Sequence, residues 1–145
     1  MSKEPAFWDA SALVPLCVHE NSSRQAQSHL RQSMPVVWWA SPVEVHRAIA
    51  RLHRLGRLKD VDKKGALSRL DMLKRGWREI LPSDTLRELS TRLLETYELR
   101  AADSFQLAAA LTWCQQRPGR RTFICADQRL SKSAAAAGFA VVELS

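Results

Sequence analysis

The stretch TFICADQRLSKSAAAAGFAVV, residues 122–142, decides the fold. Thr122–Cys125 is a short apolar run with a β-branched residue at its centre, which predicts a strand. A helix through Ala134–Ala137 follows and stops at Gly138, a residue that suits the C-cap of a helix. Phe139–Val142 predicts a second strand. A strand, a helix and a strand in one short stretch indicate a βαβ unit, from which parallel sheets are built.

The same alternation of short apolar runs and longer helical stretches extends back to the beginning of the chain. A helix start is clear at Ser41, which is a good N-cap, with Pro42 in the first helical position and Glu44 three residues after the cap. We therefore predict an α/β fold, with a mostly parallel central sheet covered by helices on both faces. The remaining predicted strands are Ala6–Trp8, Val36–Trp39 and Trp77–Leu81, and the remaining helices are Ser22–Ser33, Asp60–Arg75, one capped by Ser83 or Asp84, and Ala101–Trp113.

Length and composition predict one domain over residues 1–145. The chain has 145 residues, 46% of them apolar and 26% charged, which is typical of a globular protein with one core. No apolar run approaches the roughly 18 residues of a membrane span, and the start does not resemble a signal peptide, so we expect a cytoplasmic protein without a membrane partner. The three cysteines are far apart and form no disulfide or zinc pattern, so we expect them to be buried as small apolar residues.

Positive charge is concentrated in the middle of the chain. The formal net charge is +7, and the segment from Ser41 to Ile80 holds eleven Lys and Arg residues against five Asp and Glu. A basic stripe of this kind indicates an anionic partner, of which nucleic acid is the usual one. A helix face that is merely solvated would look the same, so charge alone leaves both interpretations open.

Four acidic residues fall where strands end or the following helices begin. Asp9 follows the first strand, Glu44 opens the helix after the second strand, Asp103 lies near the start of a helix, and Asp127 follows the fourth strand. In a parallel sheet these positions lie along the same edge, so the four side chains could meet there. Each acid could instead only cap a helix, and the two roles can coexist.

A cluster of carboxylates is unfavourable without a cation, because like charges repel. Magnesium and manganese prefer oxygen ligands, so an acid-only pocket points to Mg²⁺ or Mn²⁺ and not to zinc. A bound cation can activate water and can offset the charge that develops on a phosphodiester during hydrolysis. Another Mg²⁺ enzyme with a similar sheet, a haloacid-type phosphatase, is an alternative. It would carry a second acid two residues after the first, and Ser11 in that position argues against it.

Taken together, four motifs resemble those of the PIN-domain ribonucleases, in particular the VapC-like toxins of type II toxin–antitoxin systems. They appear in the family's order and cover nearly the whole chain. The motifs are Asp9–Val14 (DASALV), Ser41–Ala48 (SPVEVHRA), Leu99–Ala108 (LRAADSFQLA) and Phe123–Leu130 (FICADQRL) with its continuation through Phe139. The resemblance implies a PIN-like three-layer α/β/α sandwich and endonucleolytic hydrolysis of RNA, with tRNA or rRNA as the substrate. It also implies a cognate antitoxin protein and a homodimer.

The resemblance also assigns roles to particular residues. Divalent metal would be held by the four acids, and Ser11 would orient Asp9 or a water on the metal. Apart from the resemblance, helical spacing places Arg47 and Arg51 on the same side of the helix as Glu44, so we hypothesise that they grip RNA phosphates, with Arg54 and Arg57 extending the contact. Arg47 or Arg51 could instead form a salt bridge to Glu44 or face solvent. The four metal ligands and catalytic residues are Asp9, Glu44, Asp103 and Asp127, and the four arginines are Arg47, Arg51, Arg54 and Arg57.

Two departures from the family pattern and one alternative function remain. Cys125 stands two residues before the last acid, where the family often has Ser or Thr, and Ser104 follows the third acid in place of Ala. The alternative is a PIN-like module that binds RNA or protein without cutting, although the presence of all four acids argues against it.

Among the tryptophans we expect Trp8, Trp38 and Trp113 in the core, and Trp39 facing the opposite layer of helices.

Overall fold

A computed structural model of the protein describes residues 3–145. Within that range the chain forms five strands and seven helices that alternate along most of its length. The strands are β1 (Glu4–Trp8), β2 (Ser33–Trp38), β3 (Arg78–Ile80), β4 (Thr122–Cys125) and β5 (Ala140–Glu143). The helices are α1 (Ala10–Cys17), α2 (Ser23–Gln32), α3 (Ser41–Arg54), α4 (Asp60–Gly76), α5 (Asp84–Thr96), α6 (Ala101–Trp113) and α7 (Gln128–Ala137).

The sheet has the order β3-β2-β1-β4-β5, and all four pairs of neighbouring strands are parallel. The strand order reverses at β1, because β2 and β3 extend the sheet on one side and β4 and β5 extend it on the other. A crevice forms at such a reversal, beyond the carboxyl ends of the two central strands. Asp9 and Asp127 follow β1 and β4, so both lie at this point of the fold.

Helices cover both faces of the sheet, which confirms the predicted PIN-like three-layer α/β/α sandwich. Side chains alternate between the two faces along each strand. Phe7 and Phe123 face the layer of α5, α6 and α7, where their rings stack with centroids 5.2 Å apart. Trp8 and Ile124 face the opposite layer, formed by α1 to α4. Each layer therefore has its own apolar core.

Several local predictions hold, and the sequence prediction missed one element. Gly138 ends α7 in the left-handed conformation, with φ at +114°, and Ser83 caps α5 by accepting a hydrogen bond from the amide of Leu86. The three cysteines are buried and unpaired, as expected. The missed element is α1, which begins directly after Asp9 and contains Pro15.

Two of the tryptophans differ from their predicted positions. The prediction for Trp39 is wrong: this residue lies just beyond the end of β2 and is 52% exposed, so it does not pack into the opposite layer. Because the strand ends at Trp38, the alternation of faces does not extend to the next residue. Trp113 is half-buried and packs against the edge of the α5–α7 core, whereas Trp8 and Trp38 are buried as predicted.

Among residues 3–145, none of the helices has both the length and the apolar character needed to cross a lipid bilayer.

Candidate functional site

Asp9 is a buried carboxylate at the end of the central strand. Its side chain is only 3% exposed, and it caps α1 by accepting hydrogen bonds from the amides of Ser11 and Ala12 at 3.2 and 3.3 Å. The hydroxyl of Ser11 lies 2.8 and 2.9 Å from the two carboxylate oxygens, to which it donates. Burial raises the pKa of Asp9 to about 6, although the hydrogen bonds from Ser11 act against that rise. Asp9 therefore caps α1 and is also a carboxylate whose charged form is destabilised by burial.

Ser11 joins the two central strands at their carboxyl ends. Besides donating to Asp9, its hydroxyl accepts a hydrogen bond from the amide of Ala126 at 2.9 Å. Ala126 directly follows β4 and precedes Asp127. One hydroxyl thus fixes the carboxylate after β1 relative to the chain that leads to the carboxylate after β4.

Glu44 lies in the first turn of α3, and its partner is a glutamine that sequence reasoning did not single out. Gln106, on α6 and only 2% exposed, donates from Nε2 to Glu44 Oε2 at 2.6 Å and to the hydroxyl of Ser41 at 2.9 Å. Burial, and to a smaller extent the charges of Asp9 and Asp103, raise the pKa of Glu44 to about 7, although the bond from Gln106 acts against that rise. Gln106 therefore positions Glu44 from the layer of helices on the other face of the sheet.

The capping box predicted at Ser41 is wrong. The N-cap of α3 is Ala40, Ser41 is the first helical residue, and no side chain caps this end of the helix. Ser41 is fully buried and accepts the hydrogen bond from Gln106 instead. The capping-box motif predicted that the Ser41 hydroxyl would cap α3. In the structure this hydroxyl instead binds Gln106, which lies 65 residues further along the chain.

Asp103 and Asp127 lie at the beginnings of α6 and α7. Asp127 caps α7 by accepting from the amide of Leu130 at 2.9 Å, whereas Asp103 is not a cap but lies within the first turn of α6. Burial raises the pKa of Asp103, repulsion by Asp127 raises it further, and the nearby guanidinium groups of Arg100 and Arg129 lower it.

Electrostatic repulsion acts between three pairs of the four predicted acids. Repulsion from Asp9 and Asp103 contributes to the raised pKa of Glu44, and repulsion from Asp127 contributes to that of Asp103. The structure thus brings them into one electrostatic neighbourhood at the carboxyl edge of the sheet. Within residues 3–145, however, no three Asp, Glu, His or Cys side chains are arranged closely enough to form a ready-made metal cluster.

The two departures from the family pattern both have structural roles. The thiol of Cys125 accepts from the amide of Asp127 at 3.3 Å, so it takes part in the turn that carries the last acid. Burial and the charge of Asp9 raise its pKa to about 12, which keeps the thiol protonated. Ser104 is buried and lies 2.6 Å from the hydroxyl of Ser90, which ties α6 to α5.

The four predicted RNA-binding arginines lie on α3 or just after it, and none of them is among the charges that shift the pKa of Glu44 or of Asp103. Arg47 lines a groove of about 630 Å³ between α3 and α4, together with Val43 and Lys74. Arg51, Arg54 and Arg57 are exposed. Across the described range the ion pairs are His53–Asp60 and Arg87–Asp84, so the alternative of a salt bridge to Glu44 is wrong.

A second basic group, which sequence reasoning missed, lies directly beside two of the acids. A cleft of about 950 Å³ is lined by Asp103 and Asp127 and also by Arg100, Arg129 and Lys132. The three cations come from two distant segments of the chain, so no window of sequence contains an excess of charge. The sequence offered one signal for this basic group: each of the three cations lies within five residues of a predicted metal ligand.

Comparisons with known proteins identify the fold. No family model matches the chain, and no curated protein matches its sequence. Three solved structures are similar in fold. They are a toxin–antitoxin complex from Klebsiella pneumoniae (20% identity, TM-score 0.64, 94% of this chain and 95% of that chain), PAE2754 from Pyrobaculum aerophilum (18%, 0.60, 90% and 84%), and FitAcB from Neisseria gonorrhoeae (16%, 0.65, 95% and 96%). At these identities the likeness is one of architecture.

Proposed function

We propose that the protein is an endoribonuclease that depends on Mg²⁺ or Mn²⁺ and hydrolyses RNA phosphodiester bonds. The observation that carries the proposal is the set of four acids at the carboxyl edge of the sheet, where burial raises the pKa of Asp9 to about 6 and that of Glu44 to about 7. Carboxylates that repel one another in a partly buried site are what a divalent cation would stabilise. The donors are all oxygen atoms, which suits magnesium or manganese.

Asp9, Glu44, Asp103 and Asp127 would hold the cation. When bound, it would activate water for attack on phosphorus and offset the charge that develops on the phosphate and on the leaving oxygen. The chain's own contribution is to fix the donors. Ser11 and two backbone amides hold Asp9, and Gln106 holds Glu44 through Oε2.

The hydrogen bonds to Glu44 and Asp127 determine which of their oxygens are free. At Glu44 the bond from Gln106 occupies Oε2, while Oε1 has no hydrogen-bond partner among the described residues. At Asp127 the amide of Leu130 occupies Oδ1, which leaves Oδ2 available in the same way. The two acids can therefore accept a cation without giving up the contacts that orient them, so metal binding would not cost those hydrogen bonds.

We also propose that the protein is the toxin of a toxin–antitoxin pair, with a small cognate antitoxin protein as its partner. Support comes from the motif resemblance over nearly the whole chain and from the similar fold of a chain in a toxin–antitoxin complex. A homodimer and a tRNA or rRNA substrate are further parts of this proposal. A small reading frame beside the gene, whose product binds this protein and blocks its activity, would support the toxin role. Its absence would weaken the toxin role but not the nuclease.

The test of the nuclease is cleavage of a total tRNA and rRNA pool by purified protein. The reactions contain Mg²⁺ or Mn²⁺, or EDTA, and compare the wild type with Asp103→Asn, a substitution that keeps the size of the side chain and removes its charge. We expect cleavage only with metal and only by the wild type, with 5′-phosphate and 3′-hydroxyl ends. RNA left equally intact by both proteins with either metal, while both still bind it, would favour a binding module instead.

A further inference from the structure

The cleft beside Asp103 and Asp127 is lined by as many cations as acids. Three cations line it, and Glu98 is the other acid on its wall. Arg100 is the N-cap residue directly before α6, Arg129 lies in the first turn of α7, and Lys132 follows one turn later on the same side of that helix. The cations therefore face one concave surface from two helices.

None of the three cations is used to hold the fold together. All are exposed, and none belongs to an ion pair, since the pairs within residues 3–145 lie elsewhere on the surface. The guanidinium groups of Arg100 and Arg129 are close enough to lower the pKa of Asp103 without bonding to it. Unpaired cations at this distance from the acids remain available to an anion.

We propose that Arg100, Arg129 and Lys132 form the binding site for a backbone phosphate of single-stranded RNA, next to the phosphate that would be cut. We call these three residues the basic wall. The inference rests on the proposed function, because it takes the scissile phosphate to lie at the four acids. It names a subsite of the same site: the position of the neighbouring phosphate and the residues that bind it.

Charge explains why this phosphate binds beside the acids and not upon them. Asp103 and Asp127 repel a phosphate unless a cation lies between, whereas the basic wall attracts one with or without metal. Arginine is well matched to phosphate, because its planar group can donate two hydrogen bonds to it. A concave cleft between two helix ends suits a flexible strand, and RNA is most often recognised where it is single-stranded.

The basic wall and the arginines of α3 make different predictions. Arg51, Arg54 and Arg57 lie on or just after α3, and none of them lines the cleft. They contribute to the overall attraction of RNA through net charge. The basic wall should contribute direct hydrogen bonds as well, so removing equal charge from the two places should have unequal effects.

The experiment measures binding without cleavage. A fluorescently labelled single-stranded RNA of about ten nucleotides, within the usual range of site sizes, is titrated with protein in EDTA and followed by anisotropy. The wild type is compared with a triple variant in which Arg100, Arg129 and Lys132 are replaced by Gln. The charge-matched control, the α3 variant, replaces Arg51, Arg54 and Arg57 by Gln. Circular dichroism checks that each variant is folded, as expected for exposed positions.

We expect the basic-wall variant to bind about tenfold more weakly or worse, since it can no longer donate charged hydrogen bonds to the phosphate. Its binding should also depend less steeply on salt, with the log–log slope reduced by about 1 for each phosphate that is no longer bound. The α3 variant should stay within about threefold of the wild type, which is the effect of net charge alone. Replacing single RNA phosphates by neutral methylphosphonates should reproduce the weaker binding at one position in the wild type and have no effect there in the basic-wall variant.

Three results would overturn the inference: equally weakened binding in both triple variants, unchanged binding in the basic-wall variant, or no binding of RNA by the wild type in EDTA. The proposed function fails separately. If the wild type cleaves RNA with metal and the basic-wall variant binds as tightly, only the subsite is refuted. If binding depends on the basic wall but neither metal supports cleavage, the nuclease is refuted and the phosphate site remains.

Discussion

The buried carboxylate of Asp9 should make the metal-free protein less stable as the pH rises. Its pKa is about 6 in the folded protein, against 3.8 for an unperturbed aspartate. The folded protein therefore binds more protons than the unfolded chain between these values, so the free energy of unfolding falls as the pH rises through that window. A difference of about two pKa units corresponds to about 3 kcal/mol. Glu44, with a pKa of about 7, extends the window to neutrality, with a smaller share because its side chain is partly exposed.

Comparing the wild type with Asp9→Asn isolates the contribution of Asp9 to the pH dependence. The other charged groups affect the free energy of unfolding nearly equally in both proteins. At pH 8 the variant avoids the cost of a buried charge, which is worth up to about 3 kcal/mol. It loses about 1 kcal/mol, since the amide nitrogen cannot accept the hydrogen bonds that the second carboxylate oxygen accepts. We expect Asp9→Asn to be about 1–2 kcal/mol more stable than the wild type at pH 8, and no more stable than the wild type at pH 4.

The assay is urea unfolding followed by tryptophan fluorescence, in EDTA, at several values between pH 4 and pH 8. Asp71→Asn, which removes an exposed carboxylate on α4, serves as the control and should leave the pH dependence unchanged. Adding Mg²⁺ at pH 8 should stabilise the wild type more than Asp9→Asn, because only the folded site binds it. The reasoning is refuted if the difference in stability between wild type and Asp9→Asn is the same at pH 4 and pH 8.

Other substitutions test the contacts that build the site and the fold. Ser11→Ala should lower the free energy of unfolding by about 1–3 kcal/mol in urea titrations, because a buried carboxylate loses its hydroxyl donor and a backbone amide loses its acceptor. A decrease below about 0.5 kcal/mol, on the order of an ordinary surface change, would contradict that role. Gln106→Leu should weaken Mn²⁺ binding, measured by calorimetry, by about 10–100-fold, since it leaves Glu44 without its orienting partner; unchanged affinity would remove Gln106 from the site. Gly138→Ala should lower stability by about 1 kcal/mol, because its φ of +114° strains any side chain, whereas Gly76→Ala at the end of α4 should be neutral or stabilising. Thermal melts that shift in the same direction for both glycine variants would refute this distinction.

The sequence predicted the sheet and the placement of the acids because those features depend on local pattern. Short apolar runs followed at once by an acid mark strand ends, and parallel strands carry their carboxyl ends to one edge. α1 was missed because its residues are almost uniformly apolar and include Pro15, so they show neither helical periodicity nor a clear helix interior.

The partners of the acids could not be predicted, since they depend on contacts between distant segments. Ser41 looked like an N-cap by local rules, but a hydrogen bond from Gln106 uses its hydroxyl. Gln106 looked like part of an alanine-rich core helix, and the only hint was a polar residue among buried neighbours. The basic wall could not be predicted for the same reason, because Arg100 and Arg129 meet only when α6 and α7 pack side by side.

The central claim is that four acids from separate elements together hold a divalent cation. Titration calorimetry of Mn²⁺ into the metal-free protein at pH 8 tests it most directly, with wild type and Asp103→Asn compared and Asp71→Asn as the control. We predict binding by the wild type and the control, and affinity at least about tenfold lower for Asp103→Asn, because a ligand is removed while the other acids remain. Equal Mn²⁺ affinity in wild type and Asp103→Asn, or no binding by a folded wild type, would contradict the claim.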